Sequence, residues 1–237
     1  MRALAIVLFC AAAAAQSPCG VEGRVLNSVT GEPVARAALR LRRGTSTFVT
    51  ETDTKGQYAF AGIEPGAYTL SASRLGFLDA NYGARKALGP GLPFALEAGK
   101  TLAGVDLKLT PAGAVSGAVR KADGDPLVNG TVVASRQGYV NGRKGLISVG
   151  NTNTDDLGAY RIYGLPPGKY VLSAELRGLS SGPESLDPAP TSLLKTYYPS
   201  TPDAQRADPL DVQPGKAATG IDLTMASAPI GRTRGKI

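Results

Sequence analysis

Between Val21 and Met225 the apolar residues recur at every second position in short runs, and the runs are broken by Gly, Pro, Asn and Asp. No stretch sustains a helical period. Alternation sends successive side chains to opposite faces of a strand, so each run predicts a half-buried strand and the chain reads as all-β. VEGRV (21–25), ALRLRR (38–43) and STFVTET (46–52) predict strands, with TGEP (30–33) as a turn. Further strands are predicted through Tyr58 and Phe60 and through Tyr68, Leu70 and Ala72, and GKTLAGVDLKL (99–109) closes the set.

The same order then returns. VSGAV (115–119) echoes VEGRV, GDPL (124–127) echoes GEPV (31–34), and GKAATGIDLTM (215–225) echoes the closing segment. DTKGQYAFAGIEPGAY (53–68) and DDLGAYRIYGLPPGKY (155–170) share Asp, Gly, Tyr, Gly, Pro, Gly and Tyr at seven of sixteen positions. A repeat of this length predicts two like-built domains, 20–111 and 112–228. The short connection at 110–114 predicts units that abut as a stubby rod.

The shared residues read as corners and filling. Gly56 and Gly158 suit the positive φ of a tight turn, and Asp53 and Asp155 can accept hydrogen bonds from the turn's own amides. Pro65-Gly66 and Pro167-Gly168 fit a type II turn. The tyrosines alternate with Phe60, Leu70, Ile162 and Leu172 and are expected in the cores. The spacing between equivalents grows from 94 residues (Val21 to Val115) to 102 (Asp53 to Asp155) and 116 (Tyr82 to Tyr198). The first addition falls in or near RQGYVNGRKGLISVGN (136–151), and both additions are expected to lengthen loops, where function concentrates. The final TRGKI (233–237) resembles the opening strands and predicts that 229–237 begins a third repeat.

Composition adds the compartment. Residues 1–15 carry a positive start, an apolar run and Ala13-x-Ala15, the pattern of a cleaved secretory signal. The run is too short to span a bilayer. Cleavage removes Cys10 and leaves Cys19 alone, expected as a free thiol near a mobile terminus. The formal charge of +7 is spread out; Arg36, Arg40, Arg42 and Arg43 are the densest cluster. Arg40 and Arg42 alternate with Leu39 and Leu41, which predicts a solvated or edge-protecting cationic face. No nucleic-acid recognition motif is present.

The succession G-x-V, T-G-x-P-V, T-D-x-x-G-x-Y-x-F and x-P-G-x-Y resembles the carboxypeptidase regulatory-like domain in two tandem copies, over roughly 21–110 and 115–226. The resemblance implies two seven-stranded, Greek-key β-sandwiches of the transthyretin-like or Ig-like kind. It also implies a non-catalytic module of secreted bacterial proteins, assigned to folding support, protein contacts or carbohydrate binding. The chain contains no His, so a zinc carboxypeptidase site, a Ser-His-Asp triad and a hydroxyisourate-hydrolase site cannot be assembled. No cofactor or metal is expected. NTNTDDLG (151–158) imitates the start of a calcium loop, but Asp156 stands where the sharp turn needs Gly. Asn129-Gly130 reads as a hairpin turn.

The expected role is a secreted interaction module, in the periplasm or at the cell surface, that binds an envelope protein. Carbohydrate binding is the second reading, and an accessory N-terminal region of a larger peptidase or outer-membrane receptor the third. The rings expected at the surface are Tyr139, Tyr163, Tyr197 and Tyr198, with Arg143 and Lys144 beside Tyr139 in sequence. These six are the candidate ligand-binding residues.

Overall fold

A computed structural model describes residues 17–176 and 191–229. The signal at 1–15, most of the second addition and the closing TRGKI lie outside the described residues. The chain divides into two compact units, and the division falls within one strand, after Lys108. Segments 28–30 and 74–79 are counted with the second unit.

The first part of the chain carries β1 (Cys19–Asn27), β2 (Ala38–Arg43), β3 (Ser46–Glu51), β4 (Gln57–Ile63) and β5 (Gly66–Ser73). Shorter strands follow: β6 (Phe77–Leu78), β7 (Ala80–Asn81), β8 (Phe94–Leu96), β9 (Thr101–Leu102) and β10 (Leu107–Pro111). One sheet takes the order β4-β1-β10-β6 and the other β3-β2-β5-β7, with β9 paired to β1 and β8 to β5.

The second unit repeats the plan with β11 (Gly113–Arg120), β12 (Thr131–Val140), β13 (Arg143–Asn153), β14 (Ala159–Leu165) and β15 (Gly168–Glu175). Then come β16 (Thr191–Leu193), β17 (Thr196–Tyr197), β18 (Leu210–Val212), β19 (Ala217–Ala218), β20 (Leu223–Thr224) and β21 (Ser227–Pro229). Its sheets are β14-β11-β19, with β20 paired to β11, and β13-β12-β15-β17, with β18 paired to β15, and β16 and β21 form a further two-stranded sheet. Among the described residues the one helical piece is a 3-10 turn at Ala204–Arg206.

Each unit closes on a core that both of its sheets supply. In the second, Val115, Val119, Tyr160 and Ile162 from one sheet meet Val132, Ala134, Tyr170 and Leu172 from the other. Tyr58, Phe60, Tyr68 and Leu70 are buried in the first unit at the equivalent places, as the alternation predicts. Leu39 and Leu41 are fully buried while Arg40 and Arg42 are exposed, which is the expected two-faced strand.

The repeated motifs have local tasks. Asp53 and Asp155 each accept two amides of their turns, at 2.7 to 3.0 Å. The preceding Thr52 and Thr154 are buried, and their hydroxyls tie the strand end to Val34 and Leu127 carbonyls. In G-x-V the glycine is a matter of space. A Cβ on Gly23 would lie 2.2 Å from the Val105 carbonyl oxygen, and one on Gly117 would lie 2.0 Å from that of Ile221. The closing segments approach that nearly because Tyr58 and Tyr160 donate hydroxyl hydrogen bonds to those same two carbonyls, at 2.5 and 2.6 Å. Asp106 and Asp222 then accept the amides of Arg24 and Ala118, each at 2.8 Å.

Several expectations are corrected. The addition at 136–151 is not a loop: β12 and β13 stay paired from Thr131↔Asn153 to Val140↔Arg143, so the added residues extend a hairpin. Its turn is Asn141-Gly142, both at positive φ (51° and 76°), the backbone that a two-residue hairpin requires. Asn129-Gly130 is instead a turn leading into β12. Cys19 is not at a loose end but buried in β1, its thiol donating to the Ile63 carbonyl at 3.1 Å.

The Pro-Gly corners are not type II turns either. Gly66 and Gly168 sit at φ +155° and +142°, well away from the roughly +80° of that turn. An arginine explains the geometry. Arg43, which shares the inward parity of Leu39 and Leu41, donates to the Pro65 carbonyl at 2.7 Å, pairs with Glu64 and lies 5.6 Å from the Tyr68 ring centroid. Arg136 donates to the Pro166 and Pro167 carbonyls at 2.7 Å and stands 4.5 Å from the Tyr170 centroid. A Cβ at either glycine would meet that guanidinium at 2.9 Å.

Candidate functional site

The six candidate residues separate by face and sheet. Strand alternation in β12 sends Val132 and Ala134 into the core, so Thr131, Val133, Ser135, Gln137 and Tyr139 occupy the opposite, outer face. Tyr139 pairs in register with Lys144 and Gln137 with Leu146, so both cross-strand partners share that face. On the other side of β12, Val133 is opposite Ser173 of β15, and Ser173 is opposite Tyr197 of β17. Tyr139, Lys144 and Tyr197 are therefore brought onto one sheet face. Arg143 pairs with Val140 and belongs to the other face. Tyr163 is exposed on β14, in the other sheet. Tyr198 packs against the core of the second unit.

Two hollows lie along this outer face. One, of about 430 Å³, is lined by Ser135, Ser148, Asn151 and Ser173 around Val133 and is walled by Lys195 and Tyr197. The other, of about 500 Å³, is bordered by Gln137, Tyr139, Lys144 and the 3-10 turn at Ala204 and Gln205. Leu146 borders both, so they adjoin.

The walls are held by buried groups. Thr196 is fully buried; its hydroxyl donates to the Leu194 carbonyl and accepts the Ala226 amide, both at 2.9 Å, which fixes β17 and the adjacent Tyr197. Asp203 caps the 3-10 turn by accepting the Gln205 amide at 2.9 Å. Lys195 Nζ lies 3.4 Å from a Glu175 carboxylate oxygen and 5.8 Å from the Tyr197 ring centroid. That pair supplies a donor and an acceptor side by side with no net charge.

A larger hollow of about 620 Å³ lies in the first unit and draws Glu22, Glu51, Asp53 and Asp106 together. Two of these carboxylates are already engaged by the fold, Asp53 by its turn and Asp106 by Arg24, whose guanidinium is 3.6 Å away. The Tyr58 and Tyr160 hydroxyls are likewise structural, each bonded to a backbone carbonyl. Burial pushes the Tyr58 and Tyr160 phenols above their ordinary pKa, and the Asp106 and Asp222 carboxylates push the same way. Among the described residues no cluster of three His, Cys, Asp or Glu side chains could hold a metal ion. No described helix is long and apolar enough to cross a membrane.

Sequence reasoning missed Lys195, Glu175 and the serines. Glu175 and the serines are polar residues on outward strand positions, indistinguishable in sequence from ordinary solvated face, and Lys195 lies in the short link between β16 and β17. The available signal was compositional: short hydroxyl side chains, not long charged ones, occupy these outward positions.

The family profile described as carboxypeptidase regulatory-like domain matches residues 20–110 and again 114–196. No curated protein matches the chain. Among solved structures, the Bacillus anthracis TIE protein is 14% identical with a TM-score of 0.36; the match covers 90% of this chain and 34% of that one. The minor pilin GBS52 of Streptococcus agalactiae is 13% identical with a TM-score of 0.45, covering 93% of this chain and 100% of that one. The shaft pilin SpaA from Lactobacillus rhamnosus GG is 10% identical with a TM-score of 0.35, covering 92% and 100%.

Proposed function

Because the chain belongs to the carboxypeptidase regulatory-like domain family, we propose that it works as a non-catalytic interaction module outside the cytoplasm, gripping a protein partner with the long hairpin of its second unit. One observation carries this reading: the hairpin outruns the core beneath it. The core-side face of β12 and β13 continues past Arg136 through Gly138 and Val140 and back through Arg143, Gly145 and Ile147. Val140 and Ile147 remain 48% and 44% exposed there. The glycines between them make a shallow floor, since a Cβ on Gly138 would meet Ile147 at 2.4 Å. Residues 127–154 hold Arg136, Arg143 and Lys144 and no Asp or Glu. Arg136 is committed to the corner and Lys144 stands on the opposite face, so Arg143 tips the strip, and an apolar strip beside that cation fits an acidic protein surface that offers an apolar side chain. The cations and the extra residue at Val149 also discourage indiscriminate strand pairing along the β13 edge. The secretory pattern at 1–15 supports placement outside the cytoplasm.

The test is site-specific photo-crosslinking from position 140 of the intact chain in its native envelope. One acidic protein should be captured, with yield falling at high salt and at least fivefold in an Arg143→Glu, Ile147→Asp variant of unchanged melting temperature. Capture indifferent to both salt and the double substitution would refute the hairpin as the docking element.

A further inference from the structure

On the opposite face of the same sheet, we propose a binding trough for a neutral, unbranched glycan chain. The inference rests on side chains of the outer face and not on the apolar side chains of the core-side strip; the backbone of Gly138 and Gly145 borders both.

Outward positions of a sheet are ordinarily filled by long charged side chains that keep the surface wet and patch-free. Here Ser135, Ser148 and Ser173, with Thr131 and Asn151, leave the surface hollow, and Lys195 with Tyr197 raises a wall along one side. Ser135 and Ser173 are only 7% and 3% exposed despite facing outward, so the floor is recessed. Hydroxyl and amide groups both donate and accept, the capacity that a sugar's hydroxyls demand. Charge narrows the ligand further. At the enclosed end Lys195 is balanced by Glu175 at 3.4 Å, which leaves no excess cation there to hold a phosphate or carboxylate; the further cation on the path, Lys144, stands at the open end.

Length comes from the register. The face runs along β12 from Thr131 to Tyr139, roughly 27 Å at the rise of an antiparallel strand. Leu146 joins the two hollows into one path, with the Tyr197 ring beside the enclosed end and the 69% exposed Tyr139 ring at the open end. A sugar presents C–H groups on its ring faces, and an aromatic ring is the surface that takes them without forfeiting a hydrogen bond. Two such rings several sugar units apart select a linear chain over a monosaccharide.

The experiment titrates the intact chain with oligomer ladders, dimer to hexamer, of β-1,4-linked glucose, β-1,4-linked N-acetylglucosamine and α-1,4-linked glucose. Binding is followed by calorimetry and by amide shifts in β12, β15 and β17. One ladder is expected to bind with affinity rising at least tenfold from its shortest to its longest member. Tyr197→Ala should lose binding of every length, Tyr197→Phe should restore it, and Tyr139→Ala should weaken only the long members; melting temperatures report that each variant is folded. The proposal is overturned if no ladder binds, if bound oligomers shift amides elsewhere, or if Tyr197→Ala binds as wild type. Displacement of a bound oligomer by an extended peptide, with the peptide binding more tightly, would assign the trough to protein instead.

Discussion

At the residue scale the repeated tyrosines have two jobs, and the hydroxyl decides between them. Tyr58 and Tyr160 fill the cores with their rings and pin the closing segments with their hydroxyls. The neutral phenol is the form that burial and the neighbouring carboxylates favour, so the folded pKa stands above the unfolded one. A raised folded pKa means stability that is complete below the ordinary phenol value near 10 and is lost as pH climbs past it. Urea denaturation from about pH 8 upward should therefore show a level region followed by a decline above about pH 10, with a limiting slope of roughly 1.4 kcal/mol per pH unit for each titrating phenol. The Tyr58→Phe, Tyr160→Phe variant should be weaker at neutral pH, by about 1–3 kcal/mol for each carbonyl left unpaired, yet should decline less steeply. A decline as steep as wild type would show that these two hydroxyls do not carry the alkaline loss.

At the element scale the strands are joined by clamps that sequence alternation does not reveal. Arg136 ends the core-facing part of β12 by laying its guanidinium over Tyr170 and bonding two consecutive proline carbonyls. Both bonds leave the one Nη2 nitrogen while the flat guanidinium lies over the ring; an ammonium could keep a carbonyl bond but not the flat stack, so lysine is only a partial substitute. Arg136→Lys should lower stability by about 1–3 kcal/mol in a thermal melt, while Arg43→Lys should matter less. Arg43 makes one such carbonyl bond and shares its charge with an exposed Glu64, where ion pairing contributes little. Equal losses at the two sites would contradict this reading. The clamps were illegible in sequence for a simple reason. Arg43 and Arg136 both stand at core-side positions of their strands, and what each one meets there is a corner some twenty to thirty residues away that exists only once the sheet is folded.

At the scale of the whole molecule, each unit encloses its own core, and the recurrence of the motifs follows from that duplication. Leu172 is fully buried in the second core. Leu172→Ala should cost about 2–5 kcal/mol, and hydrogen exchange should show protection lost from β11, β12, β14 and β15 while β1, β2, β4 and β5 keep theirs. Loss spread evenly over both sets of strands would mean that the cores unfold as one.

The strands, their inward and outward faces, the Asp-Gly turns and the duplication were all determined by the amino-acid order, because each depends on neighbours a few residues apart and on a period of two. The Asn141-Gly142 turn makes the hairpin at 136–151 local as well, in place of the loop expected there, whereas the Pro-Gly corners were not so determined. The added residues continue the alternation that a hairpin needs, and the corners are shaped by an arginine from another strand. The candidate site shows the same division. Tyr139, in the added segment, and Tyr197, in the Tyr-Tyr pair before a proline, were legible as candidate rings, though Tyr197 is half-buried. Their meeting on one face with Lys195, Glu175 and the serines depends on cross-strand register, and register exists only once the sheet has formed.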